Sequence, residues 1–150
     1  MSDPLYKREI LRLAADAHGA GKLTVPHLHG DARNPACGDK VEFDIAVDAD
    51  GHVAELAHET RACVLTQASA AILGRGAKGM ARGDFEKLRR DVAAMLAEQD
   101  GPPASPFEAY AAFDGVTAFR NRHTCVLLPI DAVLAAFDAS EAKNLGRTGA

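Results

Sequence analysis

The sequence contains no tryptophan, and its other aromatics amount to two Tyr and six Phe. A core built from this chain must therefore rest on Leu, Val, Ile and Ala. It has no excess of basic residues either. The net charge is −4, which argues against a nucleic-acid binder, since such proteins need a basic face to displace counterions from phosphates. No apolar run approaches the length that spans a bilayer, so no membrane partner is expected. Met1-Ser2-Asp3-Pro4 shows neither a basic start nor an apolar stretch ahead of a cleavage site, so a signal peptide is not expected and the cytoplasm is the expected compartment. Cysteine is scarce: Cys37, Cys63 and Cys125 are an odd set with no close pair. That excludes a zinc ribbon and a thioredoxin-type CxxC, and makes a disulfide framework a poorer reading than free thiols or metal ligands. Gly74 to Gly79 fits G-x-G-x-x-G, but it ends a helical pattern instead of following a strand, so it reads as a helix stop.

What is present suits one domain over residues 1–150, with 47% hydrophobic and 25% charged residues. Asp3-Pro4 has the form of a helix start. Tyr6, Ile10, Leu13, Ala14 and Ala17 recur at helical spacing, with Gly19 where a C-cap glycine belongs. Gly21 to Gly38 lacks a sustained period and reads as a long loop. Val41, Phe43, Ile45 and Val47 alternate with Lys40, Glu42, Asp44 and Ala46, which predicts a half-buried strand. A turn at Asp48–Gly51 and a second strand over 52–59 complete a hairpin. A hairpin alone is marginal, so a third strand is expected, from Gly21 to Leu28.

From Cys63 the period becomes helical and ends in glycines at 74, 76 and 79; Phe85, Leu88, Val92 and Met95 mark another helix. Asp100-Gly101-Pro102-Pro103 breaks it, and Phe107 to Phe113 suits a short helix. Val126, Leu127, Ile130, Val133, Leu134 and Phe137 form a last amphipathic face. Pro129 there predicts a helix that begins close to it, with Cys125 just ahead of the first turn. The tail over 139–150 is expected to fray. The class is α+β: a small, about three-stranded antiparallel sheet packed against several helices.

The chemistry-bearing residues are few. Asn34-Pro35-Ala36-Cys37-Gly38-Asp39 places a carboxylate two residues beyond a thiol in a stiffened loop, so both can point at one ion. A turn that merely contains a cysteine is the plainer alternative. Cys63 at a helix start would have its thiolate stabilised by unpaired N–H groups, although a buried free cysteine is also an ordinary small hydrophobe. Cys125 stands in the same relation to the last helix. His123 lies two residues from Cys125, leaving a Cys–His nucleophile pair as an alternative. His27 and His29 alternate and have metal-binding chemistry, against the commoner exposed histidine. Spacing alone stops at three thiols that can meet.

Here a resemblance adds to the residues. Asn34–Asp39 resembles the N-P-x-C-G-D signature of the U-type iron–sulfur cluster assembly scaffold family (IscU, SufU and the NifU N-terminal domain). Ala62-Cys63-Val64-Leu65-Thr66-Gln67-Ala68-Ser69 is similar to that family's G-C-x-I-S-x-A-S, and Arg122-His123-Thr124-Cys125-Val126-Leu127-Leu128 to R-x-x-C-x-x-L. Thr124 stands where IscU-like chains carry His, and the gap between Cys63 and Cys125 holds an additional stretch at 82–106. Both features resemble the SufU branch. The resemblance implies an IscU/SufU-like fold and a Zn²⁺ or Fe site on Cys37, Asp39, Cys63 and Cys125, with a [2Fe–2S] cluster possible on the same cysteines. It further implies a cysteine desulfurase partner that delivers sulfur to Cys37, and downstream iron–sulfur or sulfur acceptor proteins. Gly38 and Arg122 fall at supporting positions, Arg122 reading equally well as a solvated surface arginine. The expected role is scaffold or zinc-dependent sulfur acceptor more than enzyme. The rivals are a thiol enzyme on Cys125 and His123, and a structural domain whose cysteines bind nothing.

Overall fold

The computed structural model describes residues 7–148 apart from 18, 26 and 37, with side chains as far as 139. Four helices and three strands follow one another as α1 (Arg8–Asp16), β1 (Leu28–Asn34), β2 (Asp39–Val47), β3 (Val53–Arg61), α2 (Val64–Gly76), α3 (Arg82–Leu96) and α4 (His123–Thr148). Two 3-10 segments, Glu108–Val116 and Arg120–Arg122, lie between α3 and α4. The sheet is antiparallel in the order β1-β2-β3. This is the expected α+β class. The Asp3-Pro4 helix start lies outside the described residues, and the chain turns out of α1 at Ala17, with φ 47°, ahead of Gly19.

Alternation puts Val41, Phe43 and Ile45 on one face of β2, all fully buried. Against that face lies α4, crossing β1 and β2, while α2 fills the space between α1, α4 and β3. Small residues make the second arrangement possible. Ala68, Ser69, Ala70, Ala71 and Gly76 keep α2 narrow, and it is buried along most of its length. Aromatic rings from elsewhere complete the core, with Phe85 against Phe107 and Phe137, and Tyr110 against Phe113.

The third strand is where the sequence reading needs correction. It runs Leu28–Asn34, inside the stretch read as a loop and later than Gly21–Leu28. Its composition hides it, because Gly30 stands in the middle of its core-facing row. That glycine is required by α4: a β-carbon at position 30 would lie 2.2 Å from the Ala136 nitrogen and 2.5 Å from the Ala132 oxygen. The segment at 19–23 has a different task. It bonds to β3 through Gly21 N–H to His58 O (2.8 Å) and His58 N–H to Gly19 O (2.9 Å). It then reaches Asp44 through Leu23 N–H (3.2 Å) on the outer sheet face.

The start of α4 also differs. The helix begins at His123 and carries Pro129 in its interior, so Cys125 sits in the first turn instead of ahead of it. A proline interior to a helix leaves the carbonyl four residues earlier, here that of Cys125, without its usual N–H. The neighbouring helix supplies a substitute: Thr66 Oγ1 donates to Cys125 O at 3.0 Å, and Ser69 Oγ to Val126 O at 2.7 Å. Tyr110 backs this arrangement with its hydroxyl 2.8 Å from Ser69 Oγ. Burial raises the Tyr110 phenol above its ordinary pKa, so it stays protonated.

Candidate metal centre

Three elements begin at one end of the molecule, and each brings a donor atom. Asp39 opens β2, Cys63 is the N-cap of α2, and Cys125 is in the first turn of α4. The two sulfurs and an Asp39 carboxylate oxygen lie within 4.8 Å of one another. Ligands of a tetrahedral ion with metal–sulfur bonds of about 2.3 Å sit roughly 3.8 Å apart, so only small adjustments separate this set from a coordinating one. Asp39 and Cys125 are buried and Cys63 is half-buried. Cys37, the expected fourth ligand and sulfur acceptor, lies outside the described residues. The turn that carries it in sequence is closed by the Asn34–Asp39 pair, by Gly38 N–H to Asn34 O (2.8 Å) and by Ala36 N–H to Asn34 Oδ1 (3.1 Å). Gly38 takes φ +76°, open to glycine and strained for a side chain.

Local forces hold each donor. Asp39 Oδ1 accepts from Cys63 N–H (3.2 Å), capping α2 from a different strand and placing negative charge at its positive end. Thr66 Oγ1 stands 3.2 Å from Asp39 Oδ2 and 3.5 Å from Cys63 Sγ, besides its bond to Cys125 O. One buried hydroxyl thus touches all three ligand residues. A hydrogen bond from Cys125 pushes the Cys63 thiol down to about 6, with help from Thr66, while the same bond and burial push Cys125 up. Arg122 opposes that rise through a hydrogen bond to Cys125.

Thr66 was visible in the sequence only as the residue replacing the family's serine; its role was missed. The signal was present, since a proline four residues after Cys125 leaves a carbonyl that some donor must satisfy. Thr66→Val is expected to cost about 1–3 kcal/mol, the penalty for a buried acceptor left unsatisfied. Thr66→Ser should cost less than 1 kcal/mol. Urea unfolding of the two variants checks this, and equal losses would remove the hydroxyl from the account.

Other sequence candidates go elsewhere. His123 Nε2 donates toward Val116 O (3.2 Å) and Thr117 O (3.1 Å), so that nitrogen carries a proton and is not a base for Cys125. His29 Nδ1 lies 2.7 Å and His27 Nε2 3.5 Å from Asp44 Oδ1 on the outer sheet face, apart from the cysteines. Asp48, Asp50 and His52 cluster in the β2–β3 turn, where Asp48 Oδ1 already accepts from two backbone N–H groups. A cleft of about 1040 Å³ lined by Lys7, Arg12, Asp16, Arg75 and Glu108 contains none of the ligands. Among the described residues no helix is long and apolar enough to cross a membrane.

Two thiols and a carboxylate gathered at the starts of a strand and two helices define a small α+β protein with a soft-metal donor set. The family profile described as NifU-like N-terminal domain matches residues 5–126. The chain belongs to this family, the U-type scaffold family that its three cysteine motifs resemble. No curated protein sequence matches it. Among solved structures, a nitrogen-fixing NifU-like protein (N-terminal) from Brucella abortus is similar at 30% identity and a TM-score of 0.87, covering 94% of this chain and 97% of that one. A protein assigned as an iron–sulfur cluster assembly scaffold for the SUF system, from the thermophile Fervidobacterium islandicum AW-1, shares the fold at 20% identity and a TM-score of 0.79. That match covers 91% of this chain and 98% of that one.

Proposed function

We propose that this chain is an iron–sulfur cluster assembly protein that holds a metal ion on Cys37, Asp39, Cys63 and Cys125 and accepts sulfur from a cysteine desulfurase. The convergence of Asp39, Cys63 and Cys125 carries the reading. The donor chemistry fits: a soft, sulfur-rich set suits zinc or iron, and the lone carboxylate is its hardest member. A resident zinc would hold the thiolates deprotonated and in place. Iron and sulfide are cargo, and a [2Fe–2S] cluster on the same cysteines is the assembled form passed to acceptor proteins. Thr124 in place of histidine and the long stretch between Cys63 and Cys125 favour the SufU-like role, in which sulfur is accepted at a zinc site.

The chain's own residues divide the work. Cys37, on the turn that Gly38 allows, receives sulfur. Cys63 and Cys125 stay fixed on their helices, and Asp39 is the ligand that can let go, falling back on its cap of α2. Arg122 offsets thiolate charge at Cys125. The test is elemental analysis of anaerobically purified protein with each of the four ligands replaced in turn. One zinc or iron per chain is expected, lost on each cysteine replacement. Asp39→Ala should retain metal in part and lose most activation of the desulfurase. Full metal content in every variant would end the reading.

A further inference from the structure

The outer face of the sheet carries charge in separated rungs. The register pairs Arg33 with Lys40 and Lys40 with Arg61, so three cations lie directly opposite one another across β1, β2 and β3. The next rung on the same face, about 7 Å away, pairs Asp31 with Glu42 and Glu42 with Glu59, three carboxylates. Like charges directly opposite on a sheet cost stability. In a chain of net charge −4, three aligned cations are not a by-product of composition. Lys40 finds Glu42 at 3.3 Å. Arg33 and Arg61 are exposed and have no ion-pair partner among the described residues.

The position of the cationic rung is telling. Asn34 and Asp39 form the next pair toward the candidate metal centre, and Arg61 is two residues from Cys63. Arg122 extends the positive charge to Cys125 on the α4 side. Resting on the proposed function, we infer that this end of the outer sheet face docks an acidic protein surface on the partner that brings sulfur to the thiols. The two rungs together set the register. An acidic surface over Arg33, Lys40 and Arg61 abuts the metal centre, and one displaced along the strands meets Asp31, Glu42 and Glu59, the last two partly offset by Lys40 (3.3 Å) and Lys22 (3.7 Å), and is less favoured there. The same acidic rung disfavours a polynucleotide, whose phosphates continue past the cations.

The experiment uses the full chain loaded with zinc, and a cysteine desulfurase as the probe, with affinity followed from about 50 to about 300 mM salt. Arg33→Glu combined with Arg61→Glu should weaken association roughly tenfold at low salt, with zinc content and unfolding midpoint retained. Asp31→Lys should leave association equal or tighter. Unchanged affinity in the double variant, or no association of the parent, overturns the docking surface. Either result with zinc stoichiometry intact leaves the metal-site reading standing. Loss of zinc in the double variant overturns the proposal by showing that the rung serves the site itself. A single-stranded DNA 20-mer bound by the parent and lost in the double variant would overturn it in favour of a nucleic-acid face.

Discussion

Replacing Cys125 with serine is expected to abolish stoichiometric metal while leaving a folded protein. Serine is close in size and the position is 1% exposed, so the packing around it survives. What changes is the donor set, since a hydroxyl is a poor and far less acidic ligand for a soft ion. Outer-shell changes alone cost 10–100-fold in affinity (order of magnitude), and loss of a direct sulfur ligand should exceed that. Metal binding to the native state adds to stability by mass action. Chelation should therefore lower the melting temperature of the parent and leave that of Cys125→Ser unmoved. Metal content by emission spectroscopy and melting with and without chelator check both halves. A variant that keeps one ion per chain would show that Cys125 is core filler.

Gly30→Ala is the second large effect, and it acts on the fold. The added carbon meets backbone atoms of α4 at 2.2 and 2.5 Å, and backbone cannot turn aside as a flexible side chain can. Overpacking typically costs 1–3 kcal/mol as a rough range, and a backbone clash belongs at or above its top. Separating α4 from β1 would also displace the helix that presents Cys125. Urea unfolding should show a loss of about 3 kcal/mol or more, or no soluble protein. A loss within about 0.5 kcal/mol would mean that β1 and α4 are not packed as described.

The same glycine explains what could and could not be read in the sequence. Strand β2 and helix α3 show their periods plainly, because one face of each is apolar over several pleats or turns. Strand β1 reads Leu28-His29-Gly30-Asp31-Ala32-Arg33-Asn34, and its inward row dwindles to Leu, Gly and Ala because α4 lies so close. The signal was lost to a tertiary requirement. Pro129 misled in the same way. Read locally it marks a helix start, and only the Thr66 hydroxyl on another helix makes it acceptable inside one. As for the site, Cys63 at a helix start followed from pattern alone. Its meeting with Asp39 and Cys125 did not, since nothing local specifies which element ends converge; only the resemblance of the three motifs supplied that. The contribution of Arg122 to Cys125 rested on that resemblance too.

The central claim is that one ion is held by these sulfurs together with a single carboxylate. X-ray absorption at the zinc edge of the loaded, full-length protein measures this directly. Three sulfurs near 2.3 Å and one oxygen at about 2.0–2.2 Å are expected, with one sulfur fewer in Cys63→Ser. A shell of nitrogen and oxygen alone, or one indifferent to that substitution, would contradict it.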